Sequence, residues 1–171
     1  SRSGDCHDGM KYFGLKADNS GYDITNSTNG LMCINHEYIN QNYLHTVAEV
    51  AAINNAARVP AQVDKEIAAH GVAVIKVSNT GAGFALDKTS GYNRRITAAT
   101  PMHLKGIAAG STYMVTPYST TGMDTRGTVN NCANGYTPWG TYLTCEENWN
   151  GYFKCDVRTG KEAVAFSRYG L

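Results

Sequence analysis

Residues 130–153, NNCANGYTPWGTYLTCEENWNGYF, decide how the rest of the chain is interpreted. They hold a thiol at Cys132, turn residues around position 135, and two adjacent carboxylates, Glu146 and Glu147, at the end of a predicted strand. Adjacent carboxylates repel one another unless a cation or a proton offsets their charge. A thiolate and carboxylates from neighbouring segments suit mixed metals, because sulfur favours softer ions and oxygen favours harder ones. The segment therefore predicts a metal centre.

A second polar cluster follows the apolar run 30–34, GLMCI, which has the length of a strand buried on both faces. The end of a strand is rigid, so it positions ligands better than a mobile loop does. Successive strand residues point to opposite faces, so Asn35 and Glu37 share one side while His36 faces the other. We therefore treat Asn35 and Glu37 as candidate oxygen ligands and His36 as a supporting or core residue. A strand terminus that is merely hydrogen-bonded is the alternative.

The chain before this strand begins with a polar loop, DCHDG, that leads into a short predicted strand at 10–15. Asp5, His7 and Asp8 are possible ligands. Exposed loops rich in such residues are usually just solvated, so we leave these three out of the predicted site.

Two helices are predicted between the polar clusters, at 46–57 and 60–70. The second has Pro60 at its first position and Gly71 just past its end, the expected asymmetry of helix termini. Val63 and Ile67 are expected on its buried side, with Asp64, Lys65 and Glu66 in solvent. Strands are predicted at 71–77 and 112–116, and a loop is predicted at 117–126. The last residues carry no signal for a closing helix.

Tandem arginines, Arg94 and Arg95, follow in the segment YNRRIT. The planar guanidinium group suits phosphate oxygens, and adjacent side chains on a strand point to opposite faces. One of them is therefore a weak candidate for binding substrate, although structural pairing is the commoner role of such residues.

The composition bounds the fold and excludes some functions. With 15 Lys and Arg against 14 Asp and Glu, the formal charge of +1 gives no reason to expect a nucleic-acid or membrane partner. No apolar run approaches the roughly 18 residues of a membrane span. The 18 glycines, 11 tyrosines and many polar turn residues are typical of an exported, mainly β protein, either a propeller or a sandwich. The five cysteines are odd in number; Cys145 and Cys155 are a possible hairpin disulfide that spacing alone cannot establish.

Four segments in this order resemble the PhoX family of bacterial alkaline phosphatases: GLMCINHEY (30–38), DKEIAAHGVAVIKV (64–77), YNRRITAATPM (92–102) and residues 130–153. The resemblance implies a periplasmic or secreted, six-bladed β-propeller-like phosphomonoesterase with Fe³⁺ and Ca²⁺ as cofactors and small phosphate esters as substrates. It also implies that Cys132 binds iron, that one or both of Glu146 and Glu147 are ligands, and that Glu37 with Asn35 supplies oxygen.

Three further consequences follow from the resemblance. The expected fold is mainly β, part of a propeller-like domain with a short helical insertion near residues 46–70. Family members are several times longer, so we expect residues 1–171 to be the N-terminal part of one larger domain and the remaining ligands to lie in the rest of the polypeptide. Asn134 stands where the family usually has Gly, and either residue tolerates a left-handed turn.

Two other functions compete with a phosphatase. A calcium-dependent propeller lactonase or phosphotriesterase also uses Glu and Asn, but an all-oxygen calcium site does not need the thiol of Cys132. A non-enzymatic β module with a structural calcium ion is the second alternative. A covalent role for Cys132 is less attractive, because no histidine lies near it in the sequence.

Overall fold

The computed structural model describes residues 4–54, 58–153 and 159–169. Nine strands and four α-helices are assigned within these ranges. The strands are β1 (His7–Gly14), β2 (Asn29–His36), β3 (Gly71–Asn79), β4 (Phe84–Leu86), β5 (Arg94–Ile96), β6 (Pro101–His103), β7 (Asp124–Arg126), β8 (Asn131–Tyr136) and β9 (Tyr142–Glu146). The helices are α1 (Gln41–Leu44), α2 (Val47–Asn54), α3 (Pro60–Ala69) and α4 (Gly160–Tyr169), with 3₁₀ turns at Thr112–Met114 and Trp149–Tyr152.

The strands form one five-stranded antiparallel sheet and two hairpins. In the sheet the order is β1-β2-β3-β4, and β5 also pairs with β3. The hairpins are β6-β7 and β8-β9, and β8 packs beside β1. This arrangement confirms a mainly β fold with few helices. No closed sheet is present among the described residues, so the propeller stays a prediction.

The core forms where the large sheet meets the β8-β9 hairpin. Phe13, Cys33 and Val74 are buried there on successive strands, and Tyr142 of β9 packs against them. Burial of apolar surface stabilises such a core by about 25 cal/mol per Å². The apolar runs predicted as strands at 30–34 and 71–77 therefore supply the centre of the molecule.

Helix α3 contradicts the predicted burial pattern. Its buried residues are Gln62, Glu66 and Ala69, whereas Val63 is 38% exposed. Glu66 is buried because its carboxylate pairs with two basic side chains. His45 Nε2 and Arg58 Nη1 each lie 2.8 Å from one of its oxygens. Burying a charged group is tolerated when it is paired in this way. The prediction that Glu66 lies in solvent was therefore wrong.

Several other predictions need correction. The strand predicted at 112–116 is a 3₁₀ turn, and the loop predicted at 117–126 ends in β7. Asn134 and Gly135 lie inside β8 rather than in a turn, which instead spans 137–140 with Gly140 at φ +87°. A helix, α4, follows residue 159 although no signal for one was recognised.

Two predictions fall partly outside the described residues. Helix α2 ends at Asn54, and residues 55–57 lie beyond the described range, as does Cys155 of the possible disulfide. Cys145 is exposed and unpaired within the described part of the chain. None of the helices in that part is long and apolar enough to cross a membrane.

Candidate metal centre

Three side chains from distant parts of the sequence converge at one end of β1, β2 and β8. They are Asp8, Glu37 and Cys132, and their ligand atoms all lie within 4.8 Å of one another. Asp8 is exposed, whereas the other two are partly buried. One sulfur and two carboxylates at this spacing form a small mixed donor set, which we call the thiol–carboxylate cluster.

Two irregularities in the strands aim these side chains at the same point. The pairing of β1 with β2 shifts between His7 and Met10, which brackets Asp8. The pairing of β8 with β9 shifts between Asn131 and Asn134, which brackets Cys132. A bulge inserts an extra residue and redirects the side chains beside it, and bulges are common next to functional sites.

Gly9 allows the two bulges to approach one another. A Cβ atom at this position would lie 2.8 Å from the carbonyl oxygen of Cys132 and 2.8 Å from Cβ of Asn134. No side chain fits such a contact without displacing β8. The backbone of β1 can therefore lie against β8 only because residue 9 is glycine.

The electrostatics of the cluster fit a bound cation. The Cys132 thiol donates to the Asp8 and Glu147 carboxylates, and these hydrogen bonds raise its pKa to about 12. Burial raises the pKa of Glu37, with further contributions from the negative charges of Asp8 and Glu147. Thiolate and carboxylates repel one another in this arrangement, and a metal ion removes that repulsion by binding them all. Asp8, Glu37, Cys132 and Glu147 are thus chemically suited to hold metal.

Asn35 lies beside the cluster and is fully buried. Its Nδ2 donates to the carbonyl oxygens of Cys132 at 2.9 Å and Ala133 at 3.3 Å. Its Oδ1 accepts from the hydroxyls of Tyr142 at 2.9 Å and Thr144 at 3.1 Å. Both ends of the amide are therefore occupied by protein groups, in contrast to the free oxygen that we expected a ligand to present.

Glu146 also lies outside the thiol–carboxylate cluster. Its Oε1 accepts from the backbone N–H of Val129 at 2.9 Å and the hydroxyl of Thr128 at 3.1 Å. These bonds tie the end of β9 to the segment that enters β8. Of the two adjacent glutamates, Glu147 is the one whose carboxylate reaches Cys132.

His70 supports Glu37 from the core, and His36, the residue before Glu37, is buried. The Nδ1 atom of His70 lies 2.8 Å from the Glu37 carbonyl, and the Glu37 N–H donates to the Cys6 carbonyl at 3.2 Å. His36 is 2% exposed and stacks edge-on against His7. Burial, with a smaller effect of Arg95, lowers the pKa of His36 to about 4, so its ring is neutral at physiological pH. The expectation that His36 is a core residue agrees with this burial.

The tandem arginines point in different directions. Nη2 of Arg95 donates to the carbonyl oxygens of Ala68, Ala69 and His70, so it binds the end of α3. Arg94 is exposed and donates to the Tyr92 carbonyl. It also borders a cavity of about 310 Å³ that Phe13 and Tyr142 help to line. The contacts described for both arginines are with backbone carbonyls rather than with the cluster.

Asp8 is the residue that sequence reasoning left out. Its chemistry makes it a possible ligand, but its polar segment resembles an ordinary solvated loop. In the structure β1 begins at His7, so Asp8 belongs to the strand rather than to a loop. Its nearness to Cys132 depends on a contact between segments more than 120 positions apart, which the sequence does not show.

Comparisons with known proteins agree with the resemblance. The family model "Alkaline phosphatase PhoX" matches residues 1–171. A search of curated sequences finds no match. Among solved structures, the chain is similar to Pseudomonas fluorescens PhoX in complex with vanadate, a transition-state analogue, with 36% identity and a TM-score of 0.78. The match covers 99% of this chain and 27% of that one. The chain therefore belongs to the PhoX alkaline phosphatase family.

Proposed function

We propose that the intact protein is a metal-dependent phosphomonoesterase of the alkaline phosphatase type, and that this chain contributes part of its metal site. The observation that carries the proposal is the convergence of Asp8, Glu37 and Cys132 within 4.8 Å. The family match over residues 1–171 supports the same activity, as does the similarity to a structure bound to vanadate.

The donor atoms indicate which ions the cluster takes. Thiolate sulfur suits several transition metals, and the resemblance to the PhoX family leads us to assign Cys132 to Fe³⁺ among them. Carboxylate oxygens suit Ca²⁺, which we assign to Glu37 and Glu147, with Asp8 able to serve either ion. Asn35 and Glu146, considered as ligands from the sequence, are proposed to support the site through their bonds to β8 and to the segment before it.

The residues of this chain then act mainly by positioning. Bound cations would neutralise the charge that develops on the phosphate ester during cleavage. The two bulges fix the donor atoms, and the buried His70 holds the backbone of Glu37. Arg94 and Arg95 remain only weak candidates for binding substrate, because their described contacts are structural.

The wider architecture and location are also proposed. The chain spans 27% of the Pseudomonas structure that it matches, so we propose that it forms the N-terminal part of a larger β-propeller domain. The remaining ligands would lie elsewhere in that polypeptide. We further propose that the protein is periplasmic or secreted, which enzymatic assay of separated periplasmic and cytoplasmic fractions would test.

Metal removal tests the function directly. Incubating the intact protein with a chelator should abolish hydrolysis of a generic phosphomonoester, and Ca²⁺ together with Fe³⁺ should restore it. Elemental analysis of the untreated protein should find both iron and calcium. Activity that is indifferent to chelation would reject the mechanism. Calcium without iron, in a protein inactive on phosphomonoesters, would favour a calcium-dependent lactonase or a structural calcium site.

A further inference from the structure

The thiol–carboxylate cluster has its donors on three separate segments, so something must fix their relative positions. Asp8 lies in β1, Glu37 follows β2, and Cys132 lies in β8. Backbone pairing joins β1 to β2, but no ladder joins either strand to β8. Side chains must therefore hold β8 in register with the sheet.

The buried amide of Asn35 makes that connection. It lies two residues before Glu37 and spans from β2 to β8 through its two bonds to the carbonyls of Cys132 and Ala133. These bonds hold the backbone of Cys132, the residue that carries the sulfur ligand. An error of about 1 Å in the placement of such a group is enough to weaken a site.

The hydroxyl of Tyr142 extends the connection to the third segment. Its oxygen lies 2.9 Å from Asn35 Oδ1 and 3.0 Å from the carbonyl oxygen of Gly9, the neighbour of Asp8. The phenol thus lies between the amide that holds Cys132 and the bulge that carries Asp8. Thr144, also on β9, donates to the same Oδ1 at 3.1 Å, which fixes the orientation of the amide.

We propose that Asn35 and Tyr142 are positioning residues that set the distance between Cys132 and the carboxylates of Asp8 and Glu37. Neither residue binds metal. The inference rests on one part of the proposed function, that the cluster holds a metal ion. It does not depend on which reaction is performed there. Groups that support the ligands of a metal commonly change its affinity by 10–100-fold when they are removed.

Tyr142→Phe is the sharpest variant, because it deletes one hydroxyl and leaves the ring packed on Phe13. The matched control is Tyr136→Phe on β8, the cross-strand partner of Tyr142, whose ring also contacts Phe13 but which is 49% exposed. Asn35→Asp is the second variant, since it keeps the shape of the side chain and removes both N–H donors. If Asn35→Asp does not fold, the tyrosine pair still decides the question.

The readout is titration of the metal-stripped intact protein with Co²⁺, following the thiolate-to-cobalt charge-transfer absorption. Tyr142→Phe should weaken binding about tenfold and shift the band, because the geometry at sulfur changes. Tyr136→Phe should titrate like the unmodified protein. Equal titrations for the unmodified protein and the two tyrosine variants, or equal weakening by both tyrosine variants, would overturn the inference.

A parallel assay on a phosphomonoester separates this inference from the proposed function. If Tyr142→Phe alone alters the cobalt titration while the unmodified, metal-loaded protein hydrolyses no ester, the positioning role stands and the phosphatase proposal fails. If the protein is an active phosphatase and the variants titrate alike, only the positioning role fails. Absence of any sulfur-derived band in the unmodified protein would overturn the positioning role, because Cys132 would then bind no metal, while hydrolysis of the ester would still decide the phosphatase proposal.

Discussion

At the scale of single residues, Gly9 is the position where the smallest change should have the largest effect on the site. A methyl group there would press on the Cys132 carbonyl and on Cβ of Asn134, both 2.8 Å away. Gly9→Ala should move β8 outward and weaken metal binding about tenfold, by the same logic as the loss of a supporting group. Overpacking of this kind typically costs about 1–3 kcal/mol of stability.

Metal titration and thermal unfolding of the intact protein measure both effects of Gly9→Ala. Gly91→Ala is the matched control, because a Cβ atom at residue 91 meets nothing within 4 Å. Equal metal affinity in the two variants would show that the bulges do not need this close approach.

Cys33 provides a pH-dependent test of the core. Burial raises the pKa of its thiol from 9.0 to about 11. Because the folded state resists ionisation, the thiol ionises first in the unfolded state. Stability should therefore be unaffected below pH 9 and fall as the pH rises from 9 to 11. The loss is at most about 3 kcal/mol, since one pKa unit corresponds to about 1.4 kcal/mol.

Urea unfolding of Cys33→Ala at a series of pH values isolates this contribution. The variant should be less stable at neutral pH because packing is lost, and its stability should fall less steeply than that of the unmodified protein between pH 9 and 11. Cys145→Ala, at an exposed thiol with no disulfide partner among the described residues, serves as the control. A slope unchanged by Cys33→Ala would mean that the thiol is not shielded from solvent.

At the scale of elements, helix α3 is held by charge rather than by an apolar stripe. Glu66→Gln keeps the shape of the side chain but removes the charge that pairs with His45 and Arg58. We expect a loss of about 1–3 kcal/mol, the usual cost of disturbing a buried hydrogen-bonded charge. Asp64→Asn, on the exposed side of the same helix, should change stability by less than about 0.5 kcal/mol. Chemical denaturation compares the two; equal losses would contradict this view of the helix.

The elements show which features the sequence can predict. The strand at 30–34 follows from a continuous apolar run, the strand at 71–77 from a nearly unbroken one, and the start of α3 from Pro60. The buried face of α3 cannot be predicted in this way. Periodicity locates apolar residues, whereas the burial of Glu66 depends on partners in other segments. The predicted strand at 112–116 failed for a related reason. The β propensity of that segment is overridden by a turn. Local hydrogen bonds close this turn, for example the bond from the Met114 N–H to the Ser111 carbonyl.

At the scale of the whole molecule, the site is built from long-range contacts that sequence patterns do not encode. Chemistry and resemblance predict Cys132, Glu37 and Glu147 as ligands. They leave out Asp8, because only the packing of β8 beside β1 places it near the thiol. Asn35 is predicted as an oxygen ligand, whereas in the structure its amide is bonded to β8. Chemistry indicates which residue types can act, and tertiary structure decides which of them meet.

The exposed apolar surface of the chain gives the last prediction. Among the described residues, large apolar side chains such as Ile107, Tyr113 and Trp139 are 73–106% exposed. Extensive exposed apolar surface marks contact with other parts of a protein, and this chain spans 27% of the structure that it matches. Residues 1–171 produced alone should therefore bind a hydrophobic dye more strongly, per mole, than the intact protein does. The fluorescence of Trp139 is obtained by subtracting the signal of the Trp139→Phe variant. Iodide should quench this fluorescence in the isolated chain and should not quench it in the intact protein. Equal quenching in both would show that Trp139 faces solvent throughout and that this surface has no partner.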